Sequence, residues 1–184
     1  MFLKYITVGF ALMAFGAMAQ ANEACLAKSA QDYNVDVNLL KAIAKTESGF
    51  SAGAISPPNT NGTVDIGYMQ INSSWLGKLG RDITKEALLD PCTNIQVGAW
   101  ILANNIKTYG NTWKAVGAYN ARTPSKQQVY VEKVRYAYNE LVKVDFDISK
   151  ATKVSNRSAS AVGHVTNRPG VKRGFVVLGD SSSD

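Results

Sequence analysis

One carboxylate interrupts the apolar face of a predicted helix. In the stretch LLKAIAKTESGF, Leu40 and Ala44 share one helix face, and Glu47 is the next position on it. A carboxylic acid with apolar neighbours has a raised pKa, because desolvation disfavours its charged form. Such a group holds a proton near neutral pH and can donate it to a substrate, which is general acid catalysis. Alternatively, Glu47 turns into solvent as the helix ends before Gly49.

A second carboxylate, Asp65, lies in the stretch PPNTNGTVDIGYMQI, which is rich in Gly, Pro and Asn. This composition predicts a loop and a hairpin, with Asn61 and Gly62 as the turn and residues 63–66 as one strand. By residue type alone, Asp65 is a hairpin residue that caps a turn, which is a common role of Asp.

The elements that position these side chains are predicted to be mainly helical. Asp36 is a suitable N-cap for a helix that runs to about Ser48. Composition and apolar periodicity place further helices at residues 24–33, 90–110, 112–121 and 123–143. The predicted fold class is therefore α+β and mainly α, with one small hairpin or loop region.

The two ends of the chain differ in composition from its middle. Residues 1–21 have an early Lys, a short apolar run and small residues at Ala17, Ala19 and Ala21, which predicts a secretory signal peptide that is cleaved after Ala19 or Ala21. The run is too short for a membrane anchor, so we expect a periplasmic protein with no stable membrane span after cleavage. Residues 144–184 are Ser-, Lys- and Asn-rich and predict a disordered basic tail. One domain, residues 22–143, remains between them.

The chain has two cysteines, Cys25 and Cys92, an even number in a protein that is predicted to be exported. We expect a disulfide between them, which would close a long loop and contribute roughly 4 kcal/mol on the chain-entropy model. The alternatives are two buried thiols or a metal site. A metal site is disfavoured because only His164, far along the chain, could join the two cysteines.

Charge argues against a nucleic-acid binder. Residues 22–142 contain 12 Lys and Arg against 10 Asp and Glu, so this part of the chain is only mildly basic. Nucleic-acid binders normally have a clustered basic face. A mildly positive surface is suited to binding an anionic polymer, but such a charge is also ordinary for a soluble protein.

Four short stretches occur in a fixed order: TESGF, DIGYMQINSSW, VGAW and VGAYNA. In this order they resemble the lysozyme-like soluble lytic transglycosylase family, over residues 25–142. The likeness is greatest to small members that accompany secretion systems, conjugation machines and type IV pili. The family's motif residues correspond here to Glu47, Ser48, Gly67, Tyr68, Met69, Gln70, Ala118, Tyr119 and Asn120. Tyr68 departs from the pattern, because the family usually has Leu there.

The resemblance implies cleavage of peptidoglycan between N-acetylmuramic acid and N-acetylglucosamine. Glu47 would protonate the leaving oxygen and then remove a proton from the muramic hydroxymethyl group, which closes an anhydro ring without water. The substrate's own acetamido group would stabilise the positive charge. The expected substrate-binding residues are Ser48, Gly67, Tyr68, Met69, Gln70, Tyr119 and Asn120. No cofactor is implied, and the expected partners are glycan strands and components of a secretion, conjugation or pilus machine.

The loop around Asp65 also resembles the active-site hairpin of animal lysozymes. In those enzymes an Asp two residues before the Gly is the second catalytic carboxylate, and here that Asp is Asp65. One alternative function is therefore a hydrolytic muramidase that uses Glu47, Asp65 and water. A non-catalytic glycan-binding module is a further alternative, which the full set of matched catalytic residues disfavours.

Overall fold

The computed structural model describes residues 20–159, with side chains for residues 20–149. Helix α1 covers residues 20–33 of the described chain. The remaining elements are α2 (Val37–Ser48), β1 (Asp65–Ile66), β2 (Ile71–Asn72), α3 (Pro91–Tyr109), α4 (Trp113–Asn120) and α5 (Pro124–Ala159), with two 3-10 turns at Ser73–Trp75 and Ala87–Leu89. The predicted α+β, mainly α fold class is confirmed. None of the helices in this described stretch is both long enough and apolar enough to span a membrane.

The chain divides into two compact units, with the division after Asn104. In the first unit, capping residues set both ends of α2. The Asp36 carboxylate accepts a hydrogen bond from the Leu39 backbone N–H at 2.8 Å. At the other end, Gly49 has a φ of 60°, and its N–H donates to the Lys45 carbonyl at 3.1 Å. The first unit's largest fully buried side chains are those of Leu26, Leu39, Leu40, Ile43, Ile66, Met69, Ile71, Leu88, Ile95 and Leu102.

Strands β1 and β2 form an antiparallel pair in the first unit. Asp65 lies opposite Asn72 and Ile66 opposite Ile71, and the residues Gly67–Gln70 connect them. Ile66 and Ile71 are both buried, so one side of this short hairpin belongs to the core.

The predicted turn at Asn61 and Gly62 exists and lies between residues 55 and 66, which form an isolated antiparallel bridge, but it does not connect β1 to β2. Only the last two residues of the predicted strand form β1, and they pair across the next turn along the chain. Side chains explain the difference. The Thr63 N–H donates to the Asn61 side chain at 3.2 Å, and the Val64 N–H donates to the Ser73 hydroxyl at 3.0 Å. These backbone groups are therefore satisfied without a strand ladder.

A disulfide joins Cys25 on α1 to Cys92 on α3, as predicted. The two Cα atoms are 5.3 Å apart, within the usual range for a disulfide, and the cysteines are 67 residues apart in sequence. The bond therefore links the described N-terminal helix to the helix that supports the hairpin.

The second unit contains α4 and α5, which approach closely at Gly117. A Cβ atom at Gly117 would lie 2.8 Å from the Gln127 side chain and 3.3 Å from Val131. The buried residues of this unit include Ala115, Val116, Tyr130, Val131, Val134 and Ala137.

Helix α5 continues to Ala159, whereas the sequence predicts that this helix ends near residue 143 and that a disordered tail follows. The physical reason is that residues 144–159 contain neither Gly nor Pro, so nothing in the sequence ends the helix there. Residues 160–184 of the predicted tail, and residues 1–19 of the predicted signal peptide, lie outside the described residues.

Candidate active site

Glu47 lies in the last turn of α2, where the sequence predicts a carboxylate on a buried face. Leu40 and Ala44 on the same face are fully buried, and Glu47 itself is half-buried instead of turned out into solvent. The helix ends two residues later at Gly49. The structure therefore places this carboxylate where an apolar helix face reaches the surface.

The Ser48 hydroxyl holds the end of α2 against the turn between β1 and β2. It donates to the Tyr68 carbonyl at 2.7 Å and accepts from the Ser51 N–H at 3.0 Å. This hydroxyl is therefore used within the protein, and it fixes the position of Glu47 relative to the Gly67–Gln70 turn. The prediction that Ser48 hydrogen-bonds near the acid or the acetamido group stays a prediction.

Asn94 on α3 also holds this turn through hydrogen bonds. Its side chain is fully buried and accepts from the Met69 N–H at 2.7 Å. It also donates to the carbonyls of Ile66 at 2.8 Å and Leu88 at 2.7 Å. Asn94 was not among the residues that the sequence predicted to be functional. The available signal was a polar side chain on the apolar face of α3, one helical turn before Gly98.

Two glycines allow the turn to lie directly on its neighbours. Gly67 has a φ of +76°, and a Cβ atom there would clash with the Asn94 amide and lie 2.5 Å from the Leu88 carbonyl oxygen. A Cβ atom at Gly98 on α3 would lie 2.9 Å from the Met69 side chain. Gly67 is therefore required both by its positive φ and by the lack of room for a Cβ atom. Gly98 is required by the lack of room alone.

Tyr68 and Met69 are internal residues. Met69 is fully buried beside Gly98, so its side chain packs the turn onto α3, and its role in substrate binding stays a prediction. Tyr68 is 4% exposed, and its ring lies 5.8 Å from that of Phe50. Burial, with a smaller contribution from the charge of Glu23, raises the pKa of Tyr68 to about 12. The phenol is therefore neutral at physiological pH.

Gln70 closes the turn with a strained backbone and a half-buried side chain. Its φ is 48°, unusual for a residue other than Gly. Its amide nitrogen donates to the carbonyls of Gly67 at 2.9 Å and Ala54 at 3.2 Å. The side-chain oxygen, an acceptor, is the group that could serve a ligand.

Asp65, at the start of β1, is half-buried and held by two neutral side-chain donors. Its carboxylate accepts from the Asn72 amide at 2.7 Å and from the Asn59 amide at 3.1 Å, and its backbone N–H donates to the Ser56 hydroxyl at 2.9 Å. The carboxylate is thus oriented by two amides. Within the described residues, no group of three His, Cys, Asp or Glu side chains is arranged to hold a metal ion.

Tyr119 and Asn120 belong to the second unit and end helix α4. Tyr119 is half-buried and Asn120 is exposed. Asn120 lines a pocket of about 400 Å³ together with Ser125, Lys126, Val129, Tyr130 and Lys133. The structure thus brings Ser48 and residues 67–70 into contact in the first unit, and it places Asn120 beside a basic pocket in the second.

The sequence profile of the transglycosylase SLT domain matches residues 24–142. This chain belongs to that family. Among its relatives, invasion protein IagB of Salmonella typhimurium (strain SL1344) is 41% identical over 123 residues, which are 64% of this chain and 76% of that protein. Protein IpgF of Shigella flexneri is 38% identical over 137 residues, which are 72% of this chain and 86% of that protein.

A solved structure is similar to this SLT domain in fold. It is an inactive mutant of lytic transglycosylase Slt from Pseudomonas aeruginosa, with a TM-score of 0.52 and 23% sequence identity. The likeness covers 65% of this chain and only 24% of that one. The family membership makes the protein a peptidoglycan lytic transglycosylase, and the structural likeness supports its lysozyme-like fold.

Proposed function

We propose that this enzyme cuts peptidoglycan with Glu47 as its acid and its base. The observation that carries the proposal is that Glu47 is half-buried at the end of the buried face formed by Leu40 and Ala44. A carboxylic acid at this position would act as a general acid by giving its proton to a glycosidic oxygen. Lysozyme, which is similar in fold, uses a carboxylic acid in an apolar pocket in this way, and the same principle is applied to Glu47 by likeness.

The reaction needs two proton transfers at the same carboxyl group. Glu47 gives its proton to the oxygen that leaves the anomeric carbon of the muramic residue, and the glycosidic bond breaks. The carboxylate then takes the proton of the hydroxymethyl group of the same sugar, whose oxygen bonds to the anomeric carbon. Glu47 is restored, no water is consumed, and the product carries an anhydro ring.

The sugar itself supplies what a second carboxylate would otherwise provide. The acetamido group of the muramic residue stabilises the positive charge that develops at the anomeric carbon. Gln70, through its side-chain oxygen, and Asn120, through its exposed amide, are suited to hydrogen-bond sugar amides or hydroxyls. Ser48 and Met69 act by fixing the turn that carries Gln70.

The second candidate function is a hydrolytic muramidase, and one observation favours it. The side-chain amides of Asn59 and Asn72 fix the Asp65 carboxylate in position, and a negative charge that is fixed in this way can stabilise a cationic transition state. In that case water would attack the anomeric carbon and the product would have a reducing end.

Mass spectrometry of muropeptides released from purified cell-wall sacculi separates the two functions. We expect products with anhydro ends, each lighter by one water molecule than the hydrolytic product. Products with reducing ends would contradict the transglycosylase proposal and support the muramidase with Asp65.

We further place the enzyme in the periplasm, where it opens the wall locally for an envelope-spanning machine. Residues 1–21 have the pattern of an export signal. A relative is an invasion protein, which agrees with service to a machine that crosses the envelope. Fractionation of cells that produce the full chain tests the location, and recovery only in the cytoplasm would contradict it.

A further inference from the structure

We propose that the pocket beside Asn120 binds the acidic peptide of the peptidoglycan strand, so that the enzyme prefers strands that carry peptides. This proposal rests on the proposed function. It concerns the peptide of the substrate, for which the family's motif residues provide no binding site. The pocket has a volume of about 400 Å³ and lies between the end of α4 and the first turns of α5.

Two lysines give the pocket its charge. Lys126 and Lys133 both line it and both are exposed. They are seven residues apart, or two helical turns, so they project from the same face of α5. Asn120 and Ser125 add a side-chain amide and a hydroxyl to the same lining. The pocket thus presents cations and neutral hydrogen-bonding groups, with no acidic residue among them.

Neither lysine is neutralised by the protein in the part of the chain that the structure describes. The neighbouring acids of α5 pair with other bases: Glu132 lies 3.8 Å from Arg135, and Glu140 lies 3.1 Å from Lys143. Residues 105–149 contain seven Lys and Arg against four Asp and Glu, so the surrounding charge is also positive. An anionic ligand would therefore relieve repulsion between like charges as well as form new ion pairs.

The spacing and the floor of the pocket indicate the kind of anion. Two helical turns separate the lysine Cα atoms by about 10 Å, which suits two carboxylates along a short chain better than one compact ion. Between them lie Tyr130, which is 5% exposed, and Val129, which is 61% exposed. This apolar floor suits the aliphatic part of a peptide.

Asn120 connects this pocket to the glycan. It is both a pocket residue and one that the family motif predicts to bind sugar. The peptide of peptidoglycan is attached to the lactyl group of the muramic residue and carries several carboxylates. A strand held at Asn120 would therefore have its acidic peptide close to Lys126 and Lys133.

Binding of peptide alone tests the proposal without relying on catalysis. Peptides released from sacculi by an amidase are titrated into the ¹⁵N-labelled protein, and amide shifts on α4 and α5 are followed. We expect saturable shifts around the pocket. The double variant Lys126→Gln/Lys133→Gln should weaken the apparent affinity about fivefold or more, because two charge contacts are lost. Lys143→Gln on the same helix, outside the pocket, is the matched control and should change it little.

A second arm measures co-sedimentation with sacculi in a Glu47→Gln background, which prevents digestion. Native sacculi are compared with sacculi whose carboxylates have been converted to amides. We expect tighter binding to native sacculi, and the ratio of the two affinities should approach one in the double lysine variant.

Three results would overturn the proposal: absence of peptide shifts at the pocket, equal binding of native and amidated sacculi, or an affinity ratio that survives in the double variant. Failure of the proposed function is separate, because it appears as the absence of anhydro products from the wild-type enzyme whatever the peptide titration shows.

Discussion

At the scale of single residues, the geometry of Asp65 fits both a structural role and a catalytic role. The side-chain amides of Asn59 and Asn72 orient its carboxylate, which suits a hairpin anchor and a transition-state stabiliser equally well. The sequence identified Asp65 but not these donors, because hydrogen bonds between side chains of a loop and a short hairpin follow no periodic pattern.

We predict that Asp65→Asn lowers the rate of sacculus digestion clearly, but less than Glu47→Gln does. The loss of a negative charge near the developing cation should slow the reaction, while the acetamido group still provides stabilisation. Turbidity clearance measures the rate, and thermal unfolding controls for loss of the hairpin anchor. An unchanged rate in a folded Asp65→Asn protein would leave Asp65 as a turn residue only.

Tyr68 provides a prediction about pH. In the unfolded chain its phenol ionises near pH 10, whereas in the folded protein its pKa is about 12. The unfolded state therefore binds fewer protons than the folded state between these values, so this contribution to stability is complete below pH 10 and is lost as pH rises to about 12.

Denaturant unfolding at pH 9, 10 and 11 measures this effect. We expect the free energy of unfolding of Tyr68→Phe to fall less between pH 10 and 11 than that of wild type. Tyr136→Phe, at a residue that is 70% exposed, is the matched control and should follow wild type. The same pH dependence in wild type and Tyr68→Phe would contradict the assignment.

At the scale of elements, the helices could be predicted from the sequence, but the hydrogen bonds that hold the Gly67–Gln70 turn could not. Apolar periodicity, Asp36 and Gly49 are local signals, and they place α2 correctly. The Gly67–Gln70 turn depends instead on Ser48 and Asn94, which are distant in sequence. Such long-range hydrogen bonds leave no periodic pattern, which is why the sequence did not predict that Ser48 and Asn94 hold this turn.

We predict that Asn94→Ala destabilises the protein by roughly 3 kcal/mol, because one N–H and two carbonyls would be left buried without partners. Its hydrogen bonds to the Met69 N–H and to the Ile66 and Leu88 carbonyls would all be lost. Gln96→Ala on the same helix is exposed and should change stability by less than about 0.5 kcal/mol.

Urea unfolding of both variants gives the comparison. If Asn94→Ala loses no more stability than Gln96→Ala, the side-chain hydrogen bonds of Asn94 are unimportant for stability. We also expect Asn94→Ala to lower digestion of sacculi, since the turn beside Ser48 and Gln70 would lose its attachment to α3.

At the scale of the whole molecule, the chain combines a disulfide-linked first unit with a second unit that contains α4 and α5. Cys25 and Cys92 hold α1 to α3, and the SLT family match covers residues 24–142 across both units. Glu47 lies in the first unit, and Asn120 with the basic pocket lies in the second. In the proposed function, Glu47 is the acid–base residue at the chemical centre.

The rate at which the Glu47→Gln variant digests sacculi tests the catalytic role of Glu47 most directly. The substitution keeps the shape of the side chain and removes its ability to exchange a proton, so the rate of release of anhydro muropeptides should fall by about a hundredfold or more. Glu86→Gln, at an exposed glutamate of the same unit, is the matched control and should retain the wild-type rate. Circular dichroism should show both variants folded. A folded Glu47→Gln enzyme that releases anhydro muropeptides at close to the wild-type rate would contradict the account.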